Sequence, residues 1–195
     1  MKGYELIYYC LHKYRESKDY TGLPTHFGNG EFPNGLDALN KMYAEIPDSQ
    51  KYQIVIDVYT NMRYQQRGIL KYLRAIKNHA PEDMLDAISE FIDSNNNIVV
   101  YRGGLHDEKV SLKPSWTISK EKAIWFATKY NISGKDTVLY KGIIKANNII
   151  AYTDCRSEKE IIQYRSVKNI EIEQTFKKNE QHKGYNLKKG SELQP

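Results

Sequence analysis

Apolar residues recur at every third or fourth position through the first half of the chain, which is the spacing of an amphipathic helix. One such series predicts a helix over 36–46, and a second predicts a long helix over 55–76 that only Gly68 weakens. Pro81-Glu82-Asp83 then has the composition of a helix start, because proline suits the first turn and acids suit the positive end of the helix dipole. The predicted buried face of this helix consists of Met84, Leu85, Ile88, Phe91 and Ile92.

After Asn97 the pattern changes to short β-type runs separated by turn residues. These runs predict six strands, at 98–101, 116–118, 137–144, 149–151, 160–164 and 170–176. One helix, over 120–130, separates the second strand from the third, and Ser119 has the residue type and position of its N-cap. The side chains of this helix that are expected to face the sheet are Ala123, Phe126, Ala127 and Tyr130.

The change in pattern predicts an α+β fold with three regions. Residues 1–95 form an N-terminal helical region, 96–176 a β-rich core and 177–195 a tail. The tail carries five lysines and two glutamates without apolar periodicity, so a disordered basic segment is expected, with nucleic-acid contact as the alternative.

The overall composition narrows the class of protein. Hydrophobic residues make up 40% and charged residues 27% of the chain, as in folded globular domains. Apolar runs are too short to cross a bilayer and the first 20 residues are too polar for a signal peptide, so the cytoplasm is the expected location. Cys10 and Cys155 are too few for a disulfide framework, and the five histidines lack the spacing of metal ligands. No metal is expected.

A net charge of +5 leaves anionic partners open. The second helical series carries a basic stripe, defined as Arg63, Arg67, Lys71, Arg74 and Lys77. Three interpretations fit the stripe: a surface that grips the phosphates of a nucleic acid, a docking face for an acidic protein, and a solvated face opposite the apolar one.

Three short motifs follow one another in the β-rich core: Tyr101-Arg102-Gly103-Gly104, Ser115-Trp116-Thr117 and Glu158-Lys159-Glu160. Each alone has an ordinary explanation, such as a surface arginine before a turn or a solvated strand face. Their order and strand context resemble the R-S-E class of ADP-ribosyltransferases, whose NAD⁺ site combines an arginine, a Ser-x-Ser/Thr segment and a Glu-x-Glu or Gln-x-Glu segment. The resemblance covers about residues 98–176. It implies a split mixed-β NAD-binding core, with the helical region packed on it as a lobe.

The resemblance also implies a role for each residue. Arg102 would hold the pyrophosphate of NAD⁺ through charge-assisted hydrogen bonds. Gly103 and Gly104 have no side chain, which would let the carboxamide of nicotinamide approach the backbone. Glu160 would stabilise the positive charge that develops on the ribose as nicotinamide leaves. Ser115 would orient that carboxylate and Thr117 would brace the strand.

The first glutamate of the third motif bears on the acceptor. Because side chains alternate along an extended segment, Glu158 is expected to point to the same face as Glu160. By resemblance, a glutamate at this place favours an arginine acceptor. The segment 152–157 corresponds to the target-recognition loop of the family, although its residues also suit an ordinary solvated turn.

The implied function is therefore mono-ADP-ribosylation of a protein, of the bacterial toxin or phage type. NAD⁺ would be consumed as substrate, with no other cofactor and with arginine as the acceptor side chain. Two alternatives remain open at the level of sequence. One is an NAD⁺ glycohydrolase that uses the same residues with water as acceptor. The other is a non-enzymatic module that binds nucleic acid or protein on a degenerate core.

Overall fold

The structure is a computed structural model that describes residues 4–27, 34–62, 68–130, 135–154 and 157–177. Its N-terminal part contains the α-helices α1 (Tyr4–Ser17), α2 (Leu23–Phe27), α3 (Gly35–Met42), α4 (Asp48–Asn61) and α5 (Ile69–Ile76). Short 3₁₀ segments over Lys77–His79 and Glu82–Phe91 lead from these helices to the sheet. The remaining elements are β1 (Asn97–Leu105), β2 (Ser115–Thr117), α6 (Lys120–Tyr130), β3 (Thr137–Lys145), β4 (Ile149–Thr153), β5 (Glu160–Gln163) and β6 (Lys168–Phe176).

Local end signals explain where several helices begin and end. The side chain of Asn34 accepts hydrogen bonds from the N–H groups of Leu36 and Asp37, and the Asp37 carboxylate accepts one from the Asn34 N–H. This reciprocal capping box starts α3. The long helix predicted over 55–76 is wrong, because α4 ends at Asn61 and α5 begins only after Gly68, whose helix propensity is low.

The segment Glu82–Phe91 differs from its prediction. It forms 3₁₀ turns in place of an α-helix, and Ile88 is its only fully buried residue. Phe91 is 41% exposed, so its predicted burial is wrong. The chain is already extended at Ile92, which pairs with Ile98 at the edge of the sheet. The 3₁₀ segment ends at Phe91 and the chain continues toward the sheet at Ile92, so the helical face that was expected to bury Phe91 does not form.

All pairings of the six strands are antiparallel, and their order is β4-β5-β2-β1-β3-β6. The predicted α+β class is correct, whereas a mixed sheet is not what forms. The helix α6 does connect two strands of the same direction, β2 and β3. They are not neighbours, however, because β1 lies between them and runs antiparallel to both.

The sheet consists of two halves that meet at one residue pair. Strands β1 and β3 pair along nine positions, from Asn97 with Lys145 to Leu105 with Thr137. Strands β1 and β2 pair only at Tyr101 and Thr117. The halves β4-β5-β2 and β1-β3-β6 are therefore joined through this one pair, while the predicted split NAD-binding core stays a prediction.

The hydrophobic core of the helical region continues into the sheet. Ile150, Ala151 and Ile162 of the strands belong to the same buried cluster as the helix residues. On the opposite face, Trp116 and Ile161 pack with β1 and β3 residues and with Ile88. The helical region and the β-rich core thus share one buried cluster across the predicted boundary at 95/96. Within the ranges that the structure describes, none of the helices combines the length and the apolar character needed to cross a bilayer.

Among the described residues, polar contacts also join the helices to the β-rich core. The Tyr52 hydroxyl of α4 donates to the Ile150 carbonyl at 2.9 Å, and the Lys77 ammonium donates to the Tyr164 hydroxyl at 2.6 Å. Burial raises the pKa of Tyr52 to about 12, so its hydroxyl stays protonated and able to donate. The Lys77 ammonium, in contrast, lowers the pKa of Tyr164.

Tyr52→Phe is expected to lower the free energy of unfolding by about 1–3 kcal/mol. The substitution keeps the ring but leaves the Ile150 carbonyl without its donor at a buried position. Urea denaturation measures the loss. Tyr8→Phe is the matched control, because Tyr8 is 64% exposed, and it should change stability by less than about 0.5 kcal/mol. Equal effects of the two substitutions would contradict the role given to the Tyr52 hydroxyl.

Candidate functional site

The three motifs lie on neighbouring strands. Thr153 of β4 pairs with Glu160 of β5, Glu160 pairs with Thr117 of β2, and Thr117 pairs with Tyr101 of β1. Directly paired residues of antiparallel strands project from the same face. These four residues, the polar row, therefore cross one face of the sheet. Neighbouring strands are about 4.8 Å apart, so β1 and β5 are separated by about 10 Å.

The polar row lies between two helical covers. Ile162 and Ala151, on the same face as Glu160, are buried against the helical region. Gly103, on the same face as Tyr101, lies under α6. The sheet surface between these two regions is polar but shielded from solvent, because Glu160 is only 8% exposed and Thr117 only 5%. A carboxylate at such a position acts through a lower dielectric than it would in water.

The side chain of Arg102 projects from the opposite face of the sheet. It follows Tyr101 directly and pairs with Tyr140 of β3, so its side chain starts on the face opposite the polar row. The guanidinium Nη1 donates to the Ser115 carbonyl. Arg102 therefore links β1 to β2 next to the single Tyr101–Thr117 pair, where the two halves meet. The motifs predicted one shared site for Arg102 and Glu160, but not that the Arg102 side chain starts on the opposite face.

Asp107, which belongs to none of the three motifs, lies close to Arg102. Asp107 forms an ion pair with Lys113, at 2.9 Å, and accepts a hydrogen bond from the Lys109 N–H. These contacts, led by Lys113 and with a smaller contribution from Arg102, hold the pKa of Asp107 below its ordinary value. The sequence signal for this turn is the Asp-x-Lys spacing of Asp107 and Lys109, because an aspartate side chain commonly accepts a hydrogen bond from the N–H two residues ahead.

The two glycines of the first motif have different surroundings. A Cβ added to Gly103 would lie 1.8 Å from the Ala123 carbonyl oxygen and 2.6 Å from the Ala127 nitrogen. The missing side chain thus makes room for α6, a reason that differs from the predicted approach of nicotinamide. A Cβ added to Gly104 meets nothing within 4 Å. This open space lies on the Arg102 face of β1, because residues two apart on a strand project from the same face.

The strand register places a different residue opposite Glu160 from the one that was expected to orient its carboxylate. Thr117 lies directly opposite Glu160, whereas Ser115 lies opposite Ile162, one pair further along. The Thr117 hydroxyl donates to the Glu158 carbonyl at 2.7 Å and accepts from the Ser119 N–H at 3.0 Å. Thr117 therefore braces the segment that enters β5. A role of Ser115 in orienting Glu160 stays a prediction.

Glu158 does not belong to an extended segment. Strand β5 begins at Glu160, and Lys159 has a left-handed backbone with φ 46°. The alternation that was expected to align Glu158 with Glu160 is therefore wrong. The cause is a tight turn before the strand, in which the Asp154 carboxylate accepts from the Lys159 N–H at 3.0 Å. The rest of the predicted loop, Cys155 and Arg156, lies outside the described residues.

The helix α6 begins beside the polar row, as predicted. The Ser119 hydroxyl accepts from the Lys122 N–H at 3.1 Å, which confirms Ser119 as the N-cap. Ala123 and Ala127 are buried against the sheet, whereas Phe126 is half-buried and contacts the ring of Trp125. The side chain of Tyr130 lies outside the described residues.

The basic stripe is only partly described, since Arg63 and Arg67 lie outside the described residues. Lys71 donates to the Asn40 side chain at 2.9 Å, and Lys77 binds Tyr164. Arg74 is exposed. At least two of the stripe's cations thus have partners inside the fold. The tail beyond Lys177 also lies outside the described residues, so its predicted disorder stays a prediction.

Among the described residues, no group of three or more histidine, cysteine, aspartate or glutamate side chains is arranged to hold a metal ion.

Comparison with known proteins adds no relative. No protein-family model, no curated protein and no solved structure matches the chain. The functional assignment of the polar row and its neighbours therefore depends on the motifs and on their geometry.

Proposed function

We propose that the chain is a mono-ADP-ribosyltransferase that cleaves the nicotinamide–ribose bond of NAD⁺ and transfers ADP-ribose to an arginine side chain of a protein. One observation carries this proposal. The strands that bear the three motifs are immediate neighbours, with Tyr101, Thr117 and Glu160 in register across them. The resemblance implies that these three segments share one site, and the strand pairing that brings them together supports it.

The central group of the proposed reaction is Glu160. When the bond between nicotinamide and ribose breaks, its electron pair leaves with nicotinamide, and positive charge develops on the ribose. A carboxylate that is only 8% exposed stabilises such charge more strongly than a solvated one would. The step needs no metal, because nicotinamide leaves as a neutral molecule.

In this proposal the rest of the substrate lies beside the Tyr101–Thr117 pair, where the two halves of the sheet meet. Arg102 reaches this junction from the opposite face, through its bond to the Ser115 carbonyl. In this proposal its guanidinium keeps β2 in position and also supplies positive charge for the pyrophosphate.

Transfer to arginine needs a second carboxylate. The acceptor nitrogen forms the new bond to the ribose carbon and loses a proton, which Glu158 accepts in this proposal. The turn at Lys159 means that strand geometry does not align Glu158 with Glu160. This observation favours one second candidate, an NAD⁺ glycohydrolase in which water takes the place of arginine.

A single assay separates these functions. The purified chain is incubated with NAD⁺ in the presence and absence of arginine methyl ester, and both released nicotinamide and modified ester are measured. A transferase produces both products. A glycohydrolase releases nicotinamide without modifying the ester, and absence of nicotinamide release would refute both candidates.

Glu158→Gln is expected to lower transfer to arginine methyl ester by about two orders of magnitude while NAD⁺ hydrolysis survives in large part. The substitution removes the proton acceptor but leaves the charge of Glu160 in place. Glu90→Gln, an exposed site on the 3₁₀ segment Glu82–Phe91, is the matched control and should change neither activity. Full transfer by the Glu158 variant would show that arginine is not the acceptor, and equal losses in both activities would refute the division of roles.

A further inference from the structure

The turn before β5 has an unfavourable backbone. Ser157 and Lys159 both have left-handed conformations, with φ 53° and 46°. Residues other than glycine and asparagine rarely adopt this conformation, because Cβ crowds the backbone. Two such residues on either side of Glu158 persist only where surrounding contacts hold them.

Asp154 supplies the contacts on one side of the turn. Its backbone carbonyl accepts from the Ser157 N–H at 2.9 Å, and its carboxylate Oδ1 accepts from the Lys159 N–H at 3.0 Å. Both left-handed residues therefore donate to the same aspartate. The side-chain bond is the one that a substitution can remove without breaking the chain's other contacts.

Strand β2 supplies the contacts on the other side. The Thr117 hydroxyl donates to the Glu158 carbonyl at 2.7 Å, and the Ile118 N–H donates to the Lys159 carbonyl at 3.2 Å. The backbone on both sides of the Glu158 side chain is therefore held between Asp154 and β2. Glu160 is held differently, by its strand pairing with Thr117 and Thr153.

From this arrangement we infer that Asp154 is a positioning residue that keeps Glu158 in place and so decides how ADP-ribose divides between a guanidinium acceptor and water. The inference rests on the proposed function. Loss of the Asp154 carboxylate frees the Lys159 N–H and lets the turn relax, which displaces Glu158. Glu160 keeps its strand partners, so cleavage of NAD⁺ continues while transfer loses its proton acceptor.

The test compares Asp154→Ala with Asp154→Asn in the assay with arginine methyl ester. Alanine removes the acceptor of the Lys159 N–H, whereas the asparagine side-chain oxygen can still accept it. The ratio of transfer to hydrolysis is expected to fall by about tenfold or more with alanine, since small displacements of a reacting group are costly, and to recover with asparagine. Asp86→Ala, at an exposed position on the Glu82–Phe91 segment, is the matched control and should leave the ratio unchanged.

A second measurement does not depend on catalysis. Hydrogen exchange of the Lys159 amide, followed by NMR, should accelerate in Asp154→Ala and stay close to that of the unsubstituted chain in Asp154→Asn. Unchanged exchange in the alanine variant would overturn the structural part of the inference. Faster exchange with an unchanged ratio, or equal loss of transfer and hydrolysis, would overturn the control of acceptor choice. If the unsubstituted chain releases no nicotinamide, the proposed function and the claim about acceptor choice both fail, while amide exchange still decides whether Asp154 holds the turn.

Discussion

Glu160→Gln is expected to lower both nicotinamide release and transfer of ADP-ribose by about two orders of magnitude or more. Glutamine keeps the size of the side chain and most of its hydrogen bonding but removes the negative charge. Because the position is nearly enclosed, water cannot replace that charge as it could at the surface. In the proposed mechanism both reactions pass through the same cationic ribose, so both rates should fall by a similar factor.

Controls for this result follow from the fold. Circular dichroism and urea denaturation should show that the variant keeps its secondary structure, because glutamine has nearly the same volume and the strand pairing of this position with Thr117 and Thr153 uses the backbone. Persistence of either activity at more than about a tenth of its original rate would remove Glu160 from the role of charge stabiliser.

Gly103→Ala is expected to lower the free energy of unfolding by about 3 kcal/mol or more. The added methyl group would lie 1.8 Å from the Ala123 carbonyl oxygen, and a backbone atom cannot rotate away as a flexible side chain can. Helix α6 must therefore move off the sheet or β1 must bend. Urea denaturation followed by the fluorescence of the buried Trp116 measures the loss.

Gly104→Ala is the matched control one residue further along the same strand. Neither glycine has a left-handed φ, and a Cβ at Gly104 meets nothing within 4 Å. The control should stay within about 0.5 kcal/mol of the unsubstituted chain. A similar loss in both variants would show that backbone freedom, and not the contact with α6, explains the glycine pair.

Local signals in the sequence predicted a large part of the fold. Helix α6 has its predicted bounds and its predicted cap, because a serine N-cap and buried alanines at helical spacing act within a few residues. The six strands also occur near their predicted positions, since β-branched runs between turns carry their own preference for extension. The split of 55–76 into two helices was harder to predict, because Gly68 inside a helical pattern is often tolerated.

In the candidate site, local sequence signals did not predict strand register or the face from which each side chain projects. The order of the motifs predicted that Arg102, Ser115 and Glu160 share one site, which stays a prediction; the strands β1, β2 and β5 are neighbours in the sheet. It could not predict that Arg102 leaves the opposite face or that Thr117 faces Glu160, because a register shift of one residue inverts every side chain of a strand. The turn at Lys159 was not predicted either, because it also depends on contacts between strands. Its left-handed backbone depends on contacts with Asp154 and with β2, and β2 is distant in sequence.

The single pair between Tyr101 and Thr117 also has a mechanical consequence. A change in the angle between the two halves of the sheet would strain this pair, the Arg102–Ser115 bond beside it and the packing of Trp116 on β1 and β3. It would leave the nine-position ladder between β1 and β3 intact. Helix α6 spans the same junction, since its cap at Ser119 follows β2 and its alanines rest on β1 and β3. The two halves of the sheet are thus joined by few backbone pairs and mainly by side chains and one helix, so substitutions at these side chains should change the angle between the halves more readily than substitutions elsewhere in the sheet.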